Sequence, residues 1–419
     1  MPYHRRNLYI LSASIFLTCV SWNQIIPFLP LFIRQMGVKQ NLLSWVGWIF
    51  ALQSAASVVS MPYWGKLGDK YGRKPMAIRA GLCLSGIYFG MSVCHTPLQL
   101  AALRFLNGAL TGFIPSSMAL IATNTPEEEA PRAIATAQTA AAAGLIVGPA
   151  IGGLLASLLG YRGSMVFSGA LVFISVIAVW LVVQEKSKAS VVQQTSLLQD
   201  FATALQSPVL SSIMLTVMVT GIFGAAITPI LALHLSRMNH GVPDWFTGLV
   251  FSLCPAALLL TAHAWSRFGE RNGYQRGIQI GLTGIAISAL ALTFVRNVWV
   301  FAGVFFVTGL FLAAINPSTG ALICTRVDPT FRGRAYGMQS SATMVGTVAA
   351  PLIAARIGME FGLAYVFTFV GIIALAGAVA FTSLVNGWEA QPFADTSLAE
   401  GMVDGGTGAH VSSHASDNR

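Results

Sequence analysis

Long apolar runs alternate with short polar intervals along most of the chain. Twelve such runs are read at 8–33, 42–64, 76–94, 98–122, 133–158, 164–183, 208–233, 245–264, 276–295, 299–323, 334–357 and 362–386. Each is near the ~20 residues a helix needs to cross a hydrocarbon core. A helix of that length satisfies its own backbone polar groups, which lipid cannot do for it. The pattern therefore predicts an all-α polytopic membrane protein with 12 transmembrane helices. One interval is longer than the rest: 184–207, rich in Ser, Gln and Lys, is expected as a linker between two six-helix bundles, 1–183 and 208–388. The stretch 389–419 is polar and rich in Gly, Ser and His. It cannot bury a core and is expected to be a disordered tail.

The two halves repeat one another. Trp64-Gly65-Lys66-Leu67-Gly68-Asp69-Lys70-Tyr71-Gly72 lies over Trp265-Ser266-Arg267-Phe268-Gly269-Glu270-Arg271-Asn272-Gly273 at an offset of 201, as Asn107-Gly108 lies over Thr308-Gly309. At 202, Arg132 meets Arg334, Gly144 meets Gly346 and Pro149 meets Pro351. A duplicated six-span unit with its substrate site between the copies is an architecture of secondary carriers.

Composition removes the soluble classes. The chain is 55% hydrophobic and 9% charged, against about 25% charged in a soluble domain. The net charge of +9 does not indicate nucleic acid, because the bases sit in short loops without interleaved aromatics. Their placement sets an orientation instead. Arg34, Lys39, Arg162, Arg237, Arg296 and Arg356 fall in odd-numbered loops and Arg104 falls within a span; the remaining Lys and Arg lie on the side of both termini, which is expected to be cytoplasmic. Arg5 and Arg6 precede an apolar stretch that runs through Phe32 without a small-residue cleavage site, so it reads as the first span. Cys19, Cys83, Cys94, Cys254 and Cys324 are scattered, with no CxxC pair, and read as small apolar residues. No metal or cofactor motif, nucleophile triad or phosphate loop is present to support an enzyme, and no soluble effector domain supports a sensor.

The tract Gly65-Lys66-Leu67-Gly68-Asp69-Lys70-Tyr71-Gly72-Arg73-Lys74 resembles the G-x-L-x-D-x-x-G-R-[KR] signature of the major facilitator superfamily. Its glycines permit a tight turn, and its acid and bases suit charge-assisted bonds across the cytoplasmic mouth. The resemblance implies a conformational latch. Asp69 would meet the start of span 11 near Gly333 and Arg334, and Glu270 the start of span 5 near Pro131 and Arg132. The residues assigned to it are Gly65, Asp69, Gly72, Arg73, Glu270 and Arg334.

Span 5 carries Gly144, Gly148, Pro149, Gly152 and Gly153. Glycines at 144, 148 and 152 share a helix face and admit a neighbouring backbone, while Pro149 bends the helix. This is similar to G-x-x-x-G-P-x-x-G-G of the superfamily's antiporter branch, although close helix packing alone also uses GxxxG. Span 4 carries Arg104 in Arg104-Phe105-Leu106-Asn107-Gly108, similar to the family's R-x-x-x-G motif. A charge that deep is costly; it either serves function or snorkels outward with a structural role. Arg104 lies about 9 Å inside its span, at the depth of Asn23 and Gln24, with which it is expected to cluster.

Candidate cavity residues are Arg104, Asn23, Gln24, Gln53, Gln138, Asn316 and Gln339, with Trp22, Phe113 and Phe223 as apolar walls. Mid-span amides also bridge helices. All 15 Asp and Glu lie in loops, tails or span ends, a departure from proton-driven drug carriers that leaves Asp69, His234 and His263 as groups able to carry a proton. Such a lining suits neutral, zwitterionic or anionic substrates better than strongly cationic ones. The resemblance, covering roughly residues 5 to 388, implies a monomeric plasma (inner) membrane carrier that exports small amphipathic molecules, drugs or a metabolite such as a siderophore, by alternating access with proton antiport. Uptake or uniport of a small polar nutrient is the alternative.

Overall fold

The computed structural model describes residues 2–38, 40–110, 112–185, 207–238, 242–327 and 331–389. Most of the expected linker, and all of the expected tail beyond Glu389, lie outside the described residues. The helices are α1 (Tyr3–Gln35), α2 (Leu42–Tyr71), α3 (Arg73–Ser92), α4 (Pro97–Asn124), α5 and α6 (the two arms, 130–159 and 161–182, of Ala130–Val182), α7 (Pro208–Arg237), α8 (Asp244–Asn272), α9 (Tyr274–Phe294), α10 (Val298–Arg326), α11 (Arg332–Glu360) and α12 (Tyr365–Glu389).

Among the described residues, 10 helical segments are long and apolar enough to cross a membrane. Ala130–Val182, with 53 residues, would run about 80 Å if straight, more than twice the hydrocarbon thickness. It bends at Gly160 (φ 70°, ψ 172°) into two arms, each long enough to cross; Arg73–Ser92, of 20 residues, is a further helix of spanning length. The loop expected between spans 5 and 6 is thus replaced by one glycine, which takes left-handed backbone without a Cβ clash.

Helices also outrun their apolar stretches. The tract 65–74, expected to turn tightly between spans 2 and 3, is helical on both sides of Gly72 (φ 102°). Apolarity ends where a helix leaves lipid, but its backbone hydrogen bonds do not.

Two hydrophobic cores form. One consists of residues preceding Gln184; the other is built mainly from α7–α12, joined by Phe28, Leu31, Leu43 and Ala156. The repeat is visible in the contacts. Trp64 Nε1 donates to the Ala109 carbonyl at 2.7 Å, and Trp265 Nε1 to that of Leu310 at 2.7 Å. Gly108 seats against Gln53 and Ala56, and Gly309 against Cys254 and Ala257, each pair at the offset of 201.

The halves close on each other at one end. A Cβ at Gly47 of α2 would stand 2.7 Å from Ala355 Cβ and 3.0 Å from the Pro351 carbonyl oxygen of α11. Its repeat mate Gly248 of α8 would place a Cβ 3.1 Å from the Cα and N of Gly153 on α5. Arg34 Nη1 donates to Ser236 Oγ (3.5 Å), Ser44 Oγ to Met359 Sδ (3.3 Å) and Tyr161 Oη to Asp244 Oδ1 (3.2 Å) at this same end. We call it the sealed end; the opposite, basic end carries Asp69, Arg73 and Lys74.

Candidate functional site

The glycines of α5 face two ways. A Cβ at Gly144 would stand 2.8 Å from the Phe16 carbonyl oxygen, one at Gly148 would stand 2.8 Å from Asn23 Cβ, and one at Gly152 would stand 2.6 Å from Gln24 Cα. This stripe seats α1 backbone to backbone, as small residues do in membrane helix pairs. Gly153 faces the other half, 2.9 Å from Trp245 Cα by the same construction. Pro149, buried between them, lies against Gly248. One short motif therefore holds α1 and builds half of the seal.

Between the halves lies a cavity of about 210 Å³, lined by Asn23, Ile26, Phe223, Phe251, Pro255 and Phe305 among others. Asn23 donates from Nδ2 to the Cys19 carbonyl (2.8 Å), one turn back on α1. Gln24 turns away: it is buried, and Nε2 donates to the Ser164 carbonyl (3.2 Å) and to Ser168 Oγ of α6. The expected Arg104–Asn23–Gln24 cluster is therefore not formed by hydrogen bonds. Neighbours on a helix point about 100° apart, so equal depth does not bring both amides to one face.

Arg104 is 1% exposed. Its Cζ lies 6.0 Å from the Trp22 ring centroid and 5.4 Å from that of Phe50, within cation–π range of both aromatic faces. Among the described residues its Nε finds no acceptor, and Tyr88 Oη and both amide atoms of Asn107 are buried without partners.

Phe113, expected as a cavity wall, packs in the first core against Gly81. Gln53 is buried, with Oε1 unpartnered. Gln138 and Asn316 are exposed. Gln339 Nε2 donates to Thr319 Oγ1 at 3.2 Å, joining α11 to α10. His263 is exposed, whereas His234 sits against the rings of Phe301 and Phe367 at 5.4 and 5.2 Å.

At the basic end Asp69 pairs with Arg73 within its own tract. Among the described residues, neither Asp69 nor Glu270 hydrogen-bonds or ion-pairs to the opposite half, and Arg334 lies over the Phe331 ring (5.5 Å). Gly65 has open space around it. Glu185, just past α6, was not singled out from the sequence. Its carboxylate accepts from the backbone N–H of Arg73 (2.6 Å) and of Lys74 (3.0 Å). It thereby caps α3, where free N–H groups and the helix dipole favour an anion. Gly72 allows this approach, since a Cβ there would stand 2.9 Å from Glu185 Oε2. A sequence signal existed: Glu185 is the sole acid between Glu129 and Asp200, and the start of α3 offers no capping side chain. Glu129 in turn accepts from Arg5 Nη2 (3.1 Å), and that hydrogen bond holds its carboxyl below the usual range.

The model of the Major Facilitator Superfamily matches residues 11–258 and 209–402. The chain belongs to this superfamily. Superfamily members are transporters rather than enzymes. Among relatives, Multidrug resistance protein MdtG of Proteus mirabilis (strain HI4320) is 31% identical over 390 residues, covering 92% of this chain and 95% of that protein. The protein of the same name from Serratia proteamaculans (strain 568) is 31% identical over 383 residues, covering 90% and 92%. Among solved folds, a bacterial homologue of the human lysosomal transporter Spinster, inward-facing and occupied, has a TM-score of 0.79 at 13% identity, covering 92% of this chain and 97% of that one. A variant of the nucleoside transporter NupG gives 0.74 at 16%, covering 90% and 98%. These two likenesses concern the fold alone.

Proposed function

We propose that this carrier exports small amphipathic molecules, drugs or a metabolite such as a siderophore, across the plasma (inner) membrane by alternating access in exchange for protons, acting as a monomer. The observation that carries this reading is the largely apolar cavity between the repeated halves, closed at one end by the paired glycine contacts of Gly47 and Gly248. Identity of about 30% to relatives named for multidrug resistance supports the efflux direction. The bias of Lys and Arg supports putting both termini and the basic end in the cytoplasm. The sealed end then faces outward, and this conformation receives substrate from inside.

Release outward requires the α2–α11 and α5–α8 contacts to part while the basic end closes. Asp69 then leaves Arg73 for the start of α11 beside Arg334, and Glu270 engages the start of α5 beside Arg132. The proton is carried by Asp69, His234, His263 or the substrate itself, since no carboxylate lies within the middle of a span. That same lack favours a second reading, in which the carrier takes up or equilibrates a polar nutrient without protons.

Proton flux in inside-out vesicles, followed with a pH-sensitive dye across a panel of drugs and siderophores, separates the two. Antiport predicts substrate-induced release of the pH gradient, abolished by Arg104→Ala in a folded, normally expressed protein. No response to any compound would move uniport or uptake ahead of efflux.

A further inference from the structure

We propose that the cavity is one wall of a two-sided site, and that the opposite wall, Trp22, Phe50 and Arg104, receives the single anionic headgroup of an amphipathic substrate. Resting on the export reading above, this names the substrate class.

The argument begins with the repeat. Phe223, Phe251 and Phe305 line the cavity, and their mates at the offset of 201 are Trp22, Phe50 and Arg104. Other mates line it together: Asn23 with Gly224, Ile26 with Ile227, and Pro27 with Thr228. The cavity thus sits on the axis relating the halves, where each wall has a counterpart. Two counterparts are aromatic on both sides. The third replaces phenylalanine by arginine.

The first-half trio is already assembled, with the guanidinium 5.4 Å from the Phe50 ring and 6.0 Å from that of Trp22. Among the described residues Arg104 has no carboxylate partner and no acceptor for Nε. Tyr88, whose buried hydroxyl also lacks a partner, is within electrostatic reach of it. Aromatic faces offset only part of the cost of a buried cation, and an oxyanion would supply the missing acceptors. The second-half wall of three phenylalanines suits an apolar body. One deep cation matches one negative charge.

The trio does not line the cavity in this conformation, and about 210 Å³ is below the ~300 Å³ at which drug-sized sites begin. Loading therefore requires the half-buried rings of Trp22 and Phe50 to move aside and uncover the guanidinium.

The test uses the full chain in lipid nanodiscs and the pair naphthaleneacetate and naphthaleneacetamide, which share a ring and differ in charge. Equilibrium binding is expected to favour the acid at least about tenfold in the wild type, the scale of a charge-assisted hydrogen bond. Arg104→Gln should bring that ratio to about one, Arg104→Lys should keep most of it, and Phe305→Ala should weaken both probes alike. Wild-type protein that binds both equally, or neither, overturns the proposal without reference to any variant's folding; so does a folded Arg104→Gln that keeps the preference. Extrusion of neutral N-phenylnaphthylamine from vesicles is measured alongside. Extrusion without acid preference removes the anionic wall and leaves export standing, whereas extrusion of neither probe class removes the export reading beneath it.

Discussion

If Gly248 is replaced by alanine, the new Cβ stands 3.1 Å from both Cα and N of Gly153, and nearer still to the Pro149 carbonyl oxygen. Optimal carbon contacts lie at about 3.5–4.0 Å. The neighbours are backbone atoms of α5, so no rotamer change relieves the overlap. The helices must separate, and overpacking of this kind costs about 1–3 kcal/mol. The strain acts where α5 touches α8 and therefore destabilises the conformation closed at the sealed end. The equilibrium should shift by roughly 5- to 150-fold towards opening of that end. Spin labels at Arg34→Cys and Ser236→Cys, whose native side chains meet at 3.5 Å, read the change by double electron–electron resonance once the exposed Cys324 is replaced. Gly248→Ala should add a longer-distance population. Gly47→Ala, its repeat mate, should act in the same direction, and Gly303→Ala, with open space at its Cβ, should not. A folded Gly248→Ala protein with an unchanged distance distribution would refute the reasoning.

Glu185→Gln removes the charge from the cap on α3 and should cost about 1 kcal/mol, with faster amide exchange at Arg73 and Lys74; unchanged exchange would count against the cap. For Glu129, the folded-state pKa is depressed by the Arg5 hydrogen bond. Its contribution is therefore present above the ordinary carboxylate value of about 4.3 and is lost as pH falls through the lower folded value. Hydrogen exchange at residues 3–7 should rise only in that acid window, and Glu129→Gln should remove the dependence. Asp69→Asn should bias the carrier away from the outward-open state, seen as increased thiol labelling at the basic end; identical labelling would argue against the latch.

Residue spacing made the helix packing legible, but little of the cavity lining. The offset of 201 pairs Gly108 with Gly309, which do seat against equivalent neighbours, and the 144-148-152 spacing anticipated a helix face for close backbone approach. Asn23 and Phe223 were expected at the cavity and line it. Phe113 does not, because Gly81 opens a socket for its ring inside the first core. Glu185 is silent in local spacing because the backbone N–H groups that it caps belong to a helix more than 100 residues earlier in the chain.

The sequence by itself determined the membrane class, the run of long apolar helices, the internal duplication and the superfamily. These follow from run length, composition and spacing, which are properties of the chain read in one dimension. Only the tertiary structure decided which end is sealed, that Gly153 packs on the other half while Gly144, Gly148 and Gly152 hold α1, and that Asn23 meets the cavity while Gln24 meets α6. A rotation of about 100° per residue separates those two amides, and the helix packing that sets the absolute rotation depends on contacts between residues far apart in the chain.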